Sequence, residues 1–145
     1  MLLPAVLLAA FAAADSTRGP APRPADADAP AWTTVLAYDE VRVDVDAAHL
    51  GGAGPVSAWL RWTFADRAVS PAAWDAGVRS SVDAVEVDCA AGASRTLAST
   101  AFTAAGEGVA AASFADPDSA WRRHAAESMG GRVAAAVCRL AAGGA

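Results

Sequence analysis

The sequence predicts an α+β domain: an antiparallel β-sheet of five to six strands with one C-terminal α-helix packed on it. Three observations carry this reading. Val41 to Asp46 and Val56 to Phe64 alternate with the period of two that marks a strand. Met129, Val133, Val137 and Leu140 fall at i, i+4, i+8 and i+11, one apolar stripe of a helix. The strand-like segments come first and the helical one last, an α+β order.

The elements follow in chain order. Trp32 to Tyr38 (WTTVLAY) is β-branched and aromatic, which suits a pleated surface. Asp39-Glu40 reads as a turn. In Val41 to Asp46 (VRVDVD) the three valines share one face, and Arg42, Asp44 and Asp46 share the other, expected to be wet. Gly51 to Pro55 is punctuation. Val56 to Phe64 (VSAWLRWTF) is the strongest strand. Val56, Ala58, Leu60, Trp62 and Phe64 are expected in the core, with Trp59 and Arg61 on the opposite face. Asp66 to Ala76, which holds Pro71, reads as a long connection. Val78 to Cys89 is a further strand, and Val85, Val87 and Cys89 alternate with Glu86 and Asp88. Arg95 to Thr103 and Gly108 to Phe114 are weaker strands joined by a turn near Gly106. Asp116-Pro117-Asp118 breaks the pattern. Ser128 is the expected N-cap of the helix, because its hydroxyl can accept an early backbone N–H. Gly143-Gly144 ends that helix.

At 145 residues the chain holds one domain and an arm. Eleven arginines, no lysine and a formal net charge of −5 exclude a broadly basic nucleic-acid binder. Residues Met1 to Ala14 (MLLPAVLLAAFAAA) resemble a secretory signal, with the cut expected after Ala14. Its n-region has no Lys or Arg, so the α-amino group supplies the charge or the true start lies upstream. A lipoprotein anchor needs a cysteine at the cleavage site, and the first cysteine is Cys89. Asp15 to Ala31, rich in Pro and Ala, reads as a disordered arm. The domain is expected over 32–141, with a short tail over 142–145. No membrane anchor is expected once the signal is removed.

An isolated pair of cysteines in an exported chain is usually a disulfide. Cys89 and Cys138 enclose about 50 residues, worth roughly 4 kcal/mol by chain entropy. The competing reading is a redox or nucleophilic cysteine, but there is no C-x-x-C and no adjacent histidine. The bridge is expected to pin the helix to the Val85–Cys89 strand.

These landmarks resemble the surface-adhesin protein E family of small exported bacterial domains. The family pattern opens with a Trp and a valine-rich strand closing on Asp, here Trp32 and Val43 to Asp46, then Ala47-Ala48-His49-Leu50. A strand bearing a Trp follows, here Trp59. Next come a Ser-bearing strand, Asp-Cys and an Arg, here Ser80 or Ser81, Asp88-Cys89 and Arg95. A Gly-centred hairpin, near Gly106 or Gly108, precedes a closing Trp, Ser and Val-Cys, here Trp121, Ser128 and Val137-Cys138. His49, His124 and Ala126 depart from the pattern. The resemblance implies an antiparallel sheet with a C-terminal helix, and a non-enzymatic exported protein. Named members are adhesins that bind host matrix proteins.

Candidate chemistry is sparse. Asp39, Glu40, Asp44 and Asp46 form an acidic cluster, read as a solvated face because no tight oxygen-rich loop accompanies it. His124 and Glu127, with Arg122 and Arg123, make a charged patch. His49 has no paired carboxylate in the sequence. No nucleophile elbow surrounds Ser80, Ser81 or Ser128, and no metal or other cofactor is expected. The five tryptophans stand out. Trp62 belongs to the core, and Trp121 to the start of the helix. Trp59 and Arg61 are the candidate protein-binding residues, since Trp and Arg anchor interfaces. The expected role is adhesin-like protein binding at the cell surface or in the periplasm, through a protein partner or as a homodimer. A structural envelope protein is the first alternative. A periplasmic hydrolase or hydrolase inhibitor is the second, and it requires a convergent polar pocket.

Overall fold

The computed structural model describes residues 30–65, 69–114 and 121–143. The expected signal peptide, most of the arm and the Asp116–Asp118 break lie outside the described residues.

Six strands follow one another in a simple meander, each antiparallel to the next. They are β1 (Trp32–Ala37), β2 (Val41–Asp46), β3 (Val56–Phe64), β4 (Ser80–Asp88), β5 (Ala93–Phe102) and β6 (Gly108–Ser113). A seventh strand, β7 (Arg122–Arg123), pairs with the end of β5 through Ala93 and Ser94. It corrects the expectation of five to six. Two arginines ahead of a helix carry no alternation, so no periodicity could mark it.

The connection between β3 and β4, expected only as a long connection, contains a one-turn helix, α1 (Pro71–Asp75). Pro71 fixes φ at its first position, and the Ser70 hydroxyl accepts a bond from the Ala73 N–H at 3.2 Å. The Arg79 guanidinium then stacks on Trp74, 3.4 Å from the ring centre.

The C-terminal helix α2 (Met129–Ala141) starts at Ser128, whose hydroxyl accepts the Gly131 N–H at 3.1 Å. It ends before Gly143, which takes a φ of +77°. Its buried residues are Val133, Ala134, Ala136 and Val137. Met129, expected in the apolar stripe, is instead 39% exposed at the helix start. Small alanines let the helix lie close to the sheet. The first turn comes closer still, because Gly130 and Gly131 lack side chains. A Cβ on Gly131 would lie 2.1 Å from the Ala125 carbonyl oxygen, and one on Gly130 would lie 2.4 Å from His124 Nδ1.

Helix and sheet share one core. Val41, Val43 and Val45 of β2, Ala58 and Leu60 of β3, and Val85 and Val87 of β4 pack with Val133, Ala134 and Val137. The expected inward face of β3 is therefore correct. Cys89 and Cys138 are joined with Cα atoms 5.9 Å apart, so α2 is tied to the end of β4. α2 packs on this face of the sheet and not on the other. The other face presents Trp59 and Arg61 of β3 beside Asp44 of β2 and Ala84 and Val82 of β4.

Candidate functional site

The face opposite α2 is built around a carboxylate that the sequence placed in water. Asp44 and Asp46 alternate outward from the valines as expected, yet only 1% and 3% of their surfaces are exposed. The expectation of a solvated acidic face fails because longer side chains fold over them. Arg61, opposite Asp44 across β2 and β3, donates from Nε at 3.0 Å and Nη2 at 2.8 Å to Asp44 Oδ2. Thr34, opposite it on β1, donates its hydroxyl to Oδ1 at 2.6 Å. Arg42 approaches to 3.4 Å. Burial opposes the charge on Asp44, but the Thr34 and Arg61 hydrogen bonds and both guanidinium charges outweigh it, so its pKa lies below the usual carboxylate range.

Arg61 is in turn held from above. Its guanidinium sits over the Trp32 ring, 4.6 Å from the centroid, with about a third of the side chain exposed. Trp59, two residues earlier on the same face, is half-buried and pairs across the ladder with the small Ala84. The structure thus brings the two candidate binding residues onto one surface with a second tryptophan, Trp32, expected in the first strand and at the opening of the family pattern.

Asp46 is committed differently. Its Oδ1 accepts the Ala31 and Ala48 N–H groups, both at 3.1 Å. Its Oδ2 lies 2.6 Å from His49 Nδ1. The expectation that His49 lacks a carboxylate is overturned. A single turn of 3₁₀ helix over Ala47–His49, capped by Asp46, returns the ring to its own strand end. Asp39 and Glu40 stay exposed in the β1–β2 turn.

A groove of about 430 Å³ lies on the other face, between the first turns of α2 and strands β3 to β5. Leu60, Trp62, Val85 and Val133 form its apolar wall, and Asp83, Arg95, Arg122 and His124 its polar one. Sequence reasoning missed Asp83. The visible signal is a carboxylate at a core-facing position between Ser81 and Val85. Burial raises the pKa of Asp83; the Ser99 hydroxyl at 2.6 Å, with Ser81 and Trp62 nearby, offsets this only in part. The Trp62 indole lies on the Asp83 side, but its buried N–H closes no hydrogen bond among the described residues.

His124 and Glu127 of the charged patch before α2 turn to different partners, and Arg122 and Arg123 are exposed. His124 Nε2 is 2.8 Å from Ser94 Oγ, and Glu127 pairs with Arg132 at 3.0 Å. Trp121 receives the guanidinium of Arg95, which also donates from Nε to Glu86 at 2.6 Å. His49 therefore has a carboxylate without a serine. His124 has a serine, and no carboxylate within ion-pair reach among the described residues. Neither arrangement is the three-part constellation that activates a hydroxyl nucleophile.

No helix among the described residues is long and apolar enough to cross a membrane. The sequence profile of surface-adhesin protein E matches residues 32–139. Neither a curated protein nor a solved structure matches the chain significantly. The profile spans β1 to α2, including both bridged cysteines and the platform of Trp32, Trp59 and Arg61. The chain belongs to the surface-adhesin protein E family.

Proposed function

We propose that this is an exported, non-enzymatic domain that recognises a protein partner at the cell envelope through the face of its sheet opposite α2. One observation carries the reading: Trp32, Trp59 and Arg61 stand together on that face, and the buried Asp44 holds Arg61 in place. Immobilised Trp and Arg side chains lose little entropy when a partner docks, which is why they dominate interface energetics. Family membership supports the adhesin-like class. The disulfide supports an oxidising compartment outside the cytosol.

Trp59→Ala is the direct test. The variant keeps the disulfide and the far-UV circular dichroism of the parent, because Trp59 lies outside the helix-covered core. Its capture of envelope proteins in a cross-linking pull-down falls at least tenfold, the scale of a hot-spot residue. Undiminished capture removes this face from the account.

A further inference from the structure

The groove beside α2 has two polar ends of opposite charge and an apolar floor between them, and β4 sets their spacing. Asp83 stands opposite Leu60 of β3 and Ser99 of β5, and marks one end. Val87 stands opposite Ser94 of β5, which in turn faces Arg122 of β7, and these mark the other. The two ends are four residues of β4 apart, about 13 Å at the rise of a strand.

Each end holds a group that its surroundings leave unmatched. Asp83 accepts from the Ser99 hydroxyl and has no ion pair among the described residues. Burial keeps its pKa above the ordinary carboxylate range. On the same side, the buried Trp62 indole N–H closes no hydrogen bond among the described residues. At the far end Arg122 is exposed and forms no ion pair among the described residues, whereas Arg95 is engaged with Glu86 and Trp121. Leu60, Val85, Val87 and Val133 supply the hydrocarbon between.

We propose that this groove binds a short free peptide with apolar side chains, three or four residues long, its amino terminus at Asp83 and its carboxylate at Arg122. The peptide ammonium donates to the Asp83 carboxylate and offsets the desolvation of that charge. The first peptide carbonyl accepts from the Trp62 N–H. The terminal carboxylate meets the Arg122 guanidinium in a charge-assisted pair. Apolar side chains lie on the valines and Leu60. An extended chain spans at most about 3.3–3.6 Å per residue, so four residues cover the distance between the ends. The volume of about 430 Å³ lies within the range of about 300–1,000 Å³ usual for small-ligand sites.

The charge pattern favours a peptide over a fatty acid. A fatty acid can satisfy Arg122, but it sets hydrocarbon against Asp83 and leaves the Trp62 N–H without an acceptor. The groove lies on the α2 side of the sheet, so this proposal stands apart from the Trp59 face.

The test is a calorimetric titration at pH 7 of the oxidised full chain lacking its expected signal sequence. The ligands are Ala-Val-Leu-Ala with both ends free, its N-acetylated form and its C-amidated form. The free peptide should bind at submillimolar concentration, and blocking either end should weaken binding about tenfold, the scale of one hydrogen bond to a charged group. Asp83→Asn should weaken the free peptide about tenfold and leave the acetylated one unchanged. Arg122→Met, at an exposed position, should do the same for the free and amidated peptides. Trp59→Ala should bind all three as the parent does, which separates this proposal from the one above. No binding of the free peptide at millimolar concentration overturns the proposal. Equal affinity for free and blocked peptides, or variants that keep the parent's preference for free ends, also overturns it. Decanoate binding more tightly than the peptide overturns it in favour of an acyl chain.

Discussion

Asp44 and Asp83 are the same residue type on opposite faces of one sheet, and their surroundings push them in opposite directions. Asp44 gains hydrogen bonds and two guanidinium charges, so its charged form is favoured in the fold. Its lowered pKa contributes stability above the unfolded value of about 3.9, and that contribution is lost as pH falls through the folded value. Arg61→Met leaves the buried carboxylate with the Thr34 hydroxyl and the longer Arg42 contact, and no close guanidinium. The expected loss is about 3 kcal/mol at pH 7 by urea unfolding, shrinking toward pH 3 as the carboxylate takes up a proton. Asp83 runs the other way. Its raised pKa means its neutral form suits the fold, so its contribution is full below the unfolded value and is lost as pH rises through the folded one. Asp83→Asn, which can still accept from Ser99, should therefore raise the melting temperature at pH 7, with the gain vanishing near pH 3. Neither fate was legible in the sequence. Alternation places Asp44 on the face opposite the valines, but only the register across β1, β2 and β3 brings Thr34 and Arg61 to it. The bond from His49 to Asp46 was hidden for a related reason: it depends on a 3₁₀ turn too short to have a period.

At the scale of elements, the long periodic segments were legible, and the short irregular ones were not. β2 and β3 begin and end where alternation says they should, and α2 starts at its Ser128 cap. α1 and β7 were missed because five and two residues hold no full hydrophobic repeat. The attachment of α2 was readable from Cys89 and Cys138, but its closeness was not. Gly130-Gly131 looks like a weak helix start by propensity, yet the missing side chains admit the His124–Ala126 segment against the first turn. Gly131→Ala should consequently destabilise by about 1–3 kcal/mol, although alanine is the better helix former by about 1 kcal/mol. A stabilised variant would show that this contact is loose. The bridge spans a sequence separation of 49. Replacing both cysteines with serine should cost about 4 kcal/mol in chemical denaturation at pH 7. Equal stability of oxidised and cysteine-free protein would mean that packing alone seats the helix.

For the whole molecule, one helix can cover only one face of a meander, and this asymmetry organises everything else. The valines of β2 and Leu60, Ala58 and Trp62 of β3 pack into the core with α2, so Trp59 and Arg61 are left on a surface that α2 does not cover. The sequence showed which side chains share that surface. It could not show that Trp32 and Asp44 complete it, because those residues arrive from two other strands. The central claim is that this uncovered face is where a partner docks. The most direct measurement places a photo-reactive phenylalanine analogue at Ser57, exposed two residues before Trp59, and separately at Ala135 on the outer surface of α2. Cells making either version are irradiated, and adducts are resolved by mass. The account predicts a discrete adduct from Ser57 that disappears when Trp59→Ala is added, and none from Ala135. An adduct from Ala135 alone, or a Ser57 adduct indifferent to Trp59, would contradict it.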